Sequence, residues 1–188
     1  MSTHEHRTAS PEAKSIAFGV VTVSDTRSLK DDFGGTEAVR LIEGAGFAVR
    51  ERRMVHDEVV AIRDATAALL EAGTCDAIVF TGGTGFSPRD VTVEALEPWF
   101  EKRIDGFGEL FRALSFSEIG AAAMLSRACA GIVEGVAVFA TPGSPAGVRL
   151  ALERLILPEL RHLVGQLRRP EQRSHHAHNR PSEDLLGP

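Results

Sequence analysis

The stretch AIVFTGGTGFSPRD, residues 77–90, limits the fold more than any other part of the chain. It opens as a short apolar run, Ala77-Ile78-Val79-Phe80. Three glycines and two threonines follow within residues 81–85, and Pro88, Arg89 and Asp90 close it. An apolar run of this length before glycines predicts a buried strand entering a tight loop. Glycine there permits φ > 0 and lets bare backbone N–H groups approach a ligand. Loops at the carboxyl ends of strands are where open α/β sheets place anionic ligands. The adjacent Arg89 and Asp90 suit a phosphate and a metal ion. The same composition also fits a glycine-rich turn with solvated charges, and this stretch alone leaves both readings open.

The remainder of the chain is ordinary in bulk. Its 188 residues predict one domain with some tail and a sizeable core. Hydrophobic residues make up 43% and charged residues 25%, as in a soluble globular protein. A net charge of −5 gives no global electrostatic case for nucleic acid. No apolar run is long enough to span a bilayer. Residues 1–14 are polar, lack the apolar core of a secretory signal and read as disordered. Cys75 and Cys129 make no metal-ligand spacing and read as buried thiols of a cytoplasmic protein. Residues 169–188 read as a disordered tail; His175, His176 and His178 fall within it. The folded domain is therefore expected over residues 15–168.

Within that domain strands and helices alternate. Residues 16–23 (IAFGVVTV) form a continuous β-branched run, as in a strand buried on both faces. It ends in Ser24-Asp25. A helix then opens at Gly34-Gly35-Thr36, with Ala38, Leu41, Ile42 and Ala45 on one face. Residues 47–55 alternate apolar and basic, as near a sheet edge. Asp57 stands where the N-cap of the next helix belongs, and capping alone explains it. After the glycine loop, residues 92–100 predict a short helix cut by Pro98, with Trp99 and Phe100 in the core. Residues 104–114 and 117–123 predict two further helices. Residues 128–133 and 136–140 form a hairpin around Glu134-Gly135. Ser144 and Pro145 fit N-cap and N1 of a last helix, which Pro158 should kink or split.

The fold class is thus α/β, a three-layer α/β/α sandwich on a mostly parallel sheet with an antiparallel hairpin strand. Four loops follow strands: Ser24-Asp25, Asp57, 81–90 and 141–145. In a parallel sheet they converge on one edge. Acidic side chains with backbone donors at one edge suit a magnesium-bound polyphosphate. Neither a P-loop nor a dinucleotide fingerprint is present.

TGGTGFSPRDVTVEAL, with VTVSDTR upstream and TPGSPAGV downstream, resembles the molybdenum cofactor biosynthesis (molybdopterin-binding) family. GFGELFRALSFSEIGAAAMLSRACAG is similar to the branch of that family called protein B. The resemblance spans roughly residues 16–166. It implies trimers or hexamers. It also implies a molybdopterin adenylyltransferase, which uses ATP with Mg²⁺ to transfer AMP to the terminal phosphate of molybdopterin and releases pyrophosphate. Some protein B members lack this activity and depart from the Arg-Asp pattern. The alternative here is therefore a catalytically silent molybdopterin-binding paralogue, a carrier or partner in the same pathway. Carried over residue by residue, the essential aspartates fall on Asp90 and Asp57, both assigned to Mg²⁺. The glycine loop falls on Thr81, Gly82, Gly83, Thr84 and Gly85. Ser126 matches an SR motif. Pro142, Gly143 and Ser144 match a P-G-N-P loop, with Ser144 in place of the asparagine. Ser24, Asp25 and Arg89 complete the candidate contacts, Arg89 as countercharge to phosphate.

Overall fold

The computed structural model describes residues 11–168. Its centre is a six-stranded sheet in the order β2-β1-β3-β6-β5-β4. The strands are β1 (Ala17–Val23), β2 (Ala48–Val55), β3 (Ala77–Thr81), β4 (Lys102–Arg103), β5 (Cys129–Val133) and β6 (Val136–Thr141). The helices are α1 (Phe33–Gly44), α2 (Val59–Ala72), α3 (Thr92–Leu96), α4 (Asp105–Ile119), α5 (Pro145–Ala151) and α6 (Leu157–Leu167). β2, β1, β3 and β6 run parallel, while β5 pairs antiparallel with both β6 and β4. The expected α/β sandwich is therefore the observed one. Among the described residues no helix is long and apolar enough to cross a membrane.

Period-two alternation divides the core. Phe18, Val20, Ala77, Val79, Ala137 and Phe139 face α1, α4, α5 and α6. Val21, Val23, Ile78, Phe80, Val138 and Ala140 face α2 and α3. Successive side chains of a strand point to opposite faces, so strands covered on both sides read as unbroken apolar runs. β2, the parallel edge strand, is only half-buried, in keeping with its alternating basic residues.

Some details depart from sequence expectation. The last pair of strands is not the edge: the two-residue β4 covers β5, and so short a strand leaves no periodic signature. α4 continues to Ile119 and passes into a 3₁₀ segment, Gly120–Leu125, instead of breaking near residue 115. The α-helix after Ser144 is divided just before Pro158, as expected: α5 passes through a π turn over Leu152–Ile156 into α6, and Pro158 sits in the first turn of α6. Residues 11–14 belong to the fold: Ala13–Ser15 is a 3₁₀ turn, and Arg161 Nε donates to Pro11 O at 2.8 Å. Residues 1–10 and 169–188, with the histidine cluster, lie outside the described residues. Glu134 and Gly135 have φ of 49° and 78°, as a tight two-residue hairpin turn requires.

A polar layer lies under the carboxyl ends of the strands. Thr22, Thr81 and Thr141 sit side by side in register and are at most 2% exposed. Thr22 Oγ1 donates to Asp32 Oδ2 at 2.7 Å, and Thr81 Oγ1 donates to Thr22 at 3.3 Å. Asp32, in the polar connection before α1, is buried and caps that helix by accepting from Gly35 N. Arg52 Nη2 reaches it from β2 at 2.9 Å. Burial pushes the Asp32 carboxyl up, but Arg52, Thr22 and the Gly35 amide outweigh that and hold it below its ordinary value. Its folded pKa is thus lower than its unfolded one. The corresponding stability is present above the unfolded pKa and disappears as pH falls through the folded value. Removing one partner of a buried pair strands the other charge, at about 3 kcal/mol or more. Arg52→Ala should therefore lower Tm by roughly 6–12 °C. The deficit should be largest near neutral pH and shrink as pH falls and the stranded Asp32 is protonated, as thermal melts across pH would show.

Candidate functional site

The four loops predicted to share an edge do so. They follow β1, β2, β3 and β6, whose carboxyl ends are aligned by the parallel register. Beside them lies a cleft of about 360 Å³, lined by Gly83, Thr84, Gly85, Asp90, Ser126, Pro142, Gly143 and Ser144. α4 and the 3₁₀ segment form the opposite wall through Phe111, Ser115, Ile119 and Leu125.

The glycine loop is shaped by close backbone approaches. Gly82 has φ of 102°, and a Cβ there would lie 2.3 Å from Val23 O. Gly83 has φ of 63°, and its Cβ would lie 2.5 Å from Asp57 Oδ1. Gly82 N donates to Thr141 O at 3.0 Å, and Thr92 closes the loop with bonds to Gly82 O and Gly83 O. Gly82→Ala should cost about 3 kcal/mol, combining a strained φ with a backbone clash. A fall in thermal midpoint of about 6 °C or more is expected; an unchanged midpoint would show that the loop has room.

Asp90 ends this loop. Its Oδ2 accepts from Ser87 N at 2.8 Å, fixing a tight turn, and a Cβ on Gly85 would lie 2.8 Å from the same oxygen. Asp57 arrives from the β2 side, and its local role differs from expectation. It does not cap α2: Glu58 holds the N-cap position, and no side chain makes the capping bond. Asp57 N instead donates to Asp25 Oδ1 at 3.0 Å, while Glu58 N turns back to His56 O. That turn sends the Asp57 carboxylate toward Gly83, where Oδ1 is buried without a hydrogen-bond partner. Burial, then the negative charges of Asp25 and Asp90, push its carboxyl up, with Arg89 opposing.

Other candidates fall into different positions. Thr81 is fully buried below the loop, in the threonine layer. Ser24 Oγ accepts from Thr26 N and Arg27 N and shapes its own turn. Ser144 caps α5 by accepting from Gly147 N at 3.2 Å, as expected. Ser126 is half-buried on the cleft wall. Arg89 does not face the cleft: Nε and Nη2 both engage Asp25 Oδ2, at 2.9 and 2.7 Å.

Arg127, next to Ser126, escaped sequence reading. Its Nε donates to Gly85 O at 2.8 Å and its Nη2 to Asp90 O at 2.9 Å, while Nη1 pairs with Glu94. Its guanidinium also lies 5.3 Å from the centre of the Phe86 ring. One side chain thus brackets both ends of the loop that carries Asp90. Only its place within the SR pair could have drawn attention to it.

A family model described as a probable molybdopterin binding domain matches residues 19–162. The chain belongs to the molybdopterin-binding family. Among relatives, it is 43% identical over 170 residues to molybdenum cofactor biosynthesis protein B of Bacillus subtilis (strain 168), covering 90% of this chain and 99% of that protein. A crystal structure of a molybdenum cofactor biosynthesis protein B superposes with a TM-score of 0.80 at 42% identity, covering 84% of this chain and 98% of that one. A tungsten cofactor synthesizing protein from Pyrococcus furiosus gives a TM-score of 0.73 at 35% identity, covering 84% and 100%. The molybdopterin-binding family is thus supported by motif, by overall identity and by fold.

Proposed function

We propose that the chain is a molybdopterin adenylyltransferase: it transfers AMP from ATP to the terminal phosphate of molybdopterin and releases pyrophosphate. The observation that carries this reading is the unpartnered, buried Oδ1 of Asp57, close to Asp90 beside the glycine loop. A charged carboxylate atom without a partner is costly to maintain unless a cation or donor meets it in the working complex.

The residues fit magnesium under one condition. Among the described residues no group of three or more His, Cys, Asp or Glu side chains could form a metal cage. Mg²⁺ is commonly held by one or two carboxylates with substrate phosphates and water completing its shell. Asp57 and Asp90 supply that pair. Bound there, the ion would neutralise charge on the polyphosphate.

The nucleophile is a phosphate oxygen of molybdopterin, already anionic, so no general base is required. Its lone pair forms the new P–O bond at the α-phosphorus, and the bond from the α-phosphorus to the bridging oxygen breaks, releasing pyrophosphate. Catalysis then rests on alignment and on stabilising developing charge. Gly82 lets the loop pack against β1, and Gly83 and Gly85 line the cleft, where their backbone would meet phosphate. Thr84, Ser126, Pro142, Gly143 and Ser144 line the cleft as contacts to pterin or nucleotide. Exposed Leu110, Phe116, Ile119, Met124 and Leu125, on α4 and the 3₁₀ segment, support assembly into a homotrimer or homohexamer. Pyrophosphate release tests the reading: it should require ATP, Mg²⁺ and molybdopterin together. Pterin binding without release would instead identify a silent binding paralogue.

A further inference from the structure

We infer that Asp25 is a positioning residue that ties the Asp57 loop to the Asp90 loop and holds Arg89 away from both carboxylates. The inference rests on the proposed pairing of Asp57 and Asp90 around a divalent cation, and it gives Asp25 a different task from substrate contact.

The carboxylate of Asp25 is already occupied by protein donors. Oδ1 accepts from Asp57 N at 3.0 Å and lies 3.5 Å from His56 Nδ1, both on the loop after β2. Oδ2 accepts from Arg89 Nε at 2.9 Å and forms an ion pair with Nη2 at 2.7 Å, on the loop after β3. One side chain from the loop after β1 therefore joins the segments that bear Asp57 and Asp90. Charge-assisted bonds of this kind are shorter and stronger than neutral ones, and they fix orientation as well as distance. Groups that hold first-contact ligands in place commonly control metal affinity without touching the metal.

Arg89 explains why a carboxylate is needed. It is one residue from Asp90, its side chain is 60% exposed, and its charge also acts on Asp57. Without Asp25 its guanidinium is free to pair with Asp57 or Asp90 and compete with the cation. With Asp25 in place, Arg89 is neutralised and serves as a strut between loops.

The test uses Mn²⁺ alone as probe, its binding followed by electron paramagnetic resonance, together with hydrogen exchange of the Asp57 amide in metal-free protein. Asp25→Ala should exchange that amide at least about tenfold faster and bind Mn²⁺ at least about tenfold more weakly, with its melting temperature little changed. Asp25→Ala/Arg89→Ala should recover Mn²⁺ affinity at least about threefold over Asp25→Ala, while the Asp57 amide stays fast. A merely structural role, or direct ligation by Asp25, predicts no recovery. Unchanged exchange in Asp25→Ala, or a double variant no better than the single one, overturns the inference. Failure of the wild-type protein to bind Mn²⁺ counts against the metal assignment under Proposed function. The Asp57 amide alone then decides the tether: protected in wild type and fast in Asp25→Ala supports it, and equal rates overturn it.

Discussion

Asp57→Asn is expected to lower adenylyl transfer by about 100-fold or more while making the folded protein more stable. Both effects come from the same atom. Oδ1 of Asp57 is buried without a donor, and burial together with Asp25 and Asp90 disfavours its ionised form. A carboxyl whose folded pKa lies above its unfolded value binds its proton more tightly in the native state. Its ionisation therefore costs stability above the folded pKa, and that cost vanishes below the unfolded value. Asparagine keeps the shape and removes the charge. A gain of about 1 kcal/mol, or roughly 2–4 °C in Tm, is expected near neutral pH. The gap between variant and wild type should close as pH falls and Asp57 becomes protonated. Divalent cation should raise the melting temperature of wild type and not of the variant. Equal stability at all pH values would show that the ionised carboxylate is adequately paired.

Asp90→Asn should also reduce turnover by about 100-fold or more, but with a different stability signature. Asp90 Oδ2 accepts from Ser87 N, and its backbone carbonyl is held by Arg127. An asparagine oxygen can still accept from Ser87 N, since Asx side chains stabilise such turns whether charged or not. The melting temperature of Asp90→Asn should therefore stay within about 2 °C of wild type. Asp90→Ala loses the turn bond as well and should lose a further ~1 kcal/mol. Loss concentrated in kcat would mark a contribution to the transition state; a rise in KM alone would mark uniform binding. Full activity in Asp90→Asn removes this carboxylate from the mechanism.

The layers of the fold were readable because each rests on a local pattern. Apolar runs at 16–23 and 77–80, helical faces at Ala38–Ile42 and glycines after strands give both element type and the shared edge. Ser144 was readable as a cap for the same reason: its partner is Gly147, three residues away. Asp57 was misread because its position next to a helix is local, whereas the interactions that turn it are with Asp25 and Gly83 on other loops. Asp32 carried a usable signal, an aspartate three residues ahead of Gly35, but its ion pair with Arg52 depends on how β2 lies beside β1. Arg127 holds carbonyls about forty residues away in sequence, so apart from the SR pair nothing in its neighbourhood marks it. Family resemblance supplied the substrate; the position of Asp57 supplies a physical reason for a cation.

Following isotopic label from ATP tests the central claim most directly. Wild-type protein is given molybdopterin, Mg²⁺ and ATP labelled at either the α- or the γ-phosphorus. Attack at the α-phosphorus predicts that α-label enters the pterin product and γ-label leaves in pyrophosphate, both in proportion to protein turnover. Label from the γ-position in the pterin, or a pterin that binds and acquires no label from either position, would contradict it.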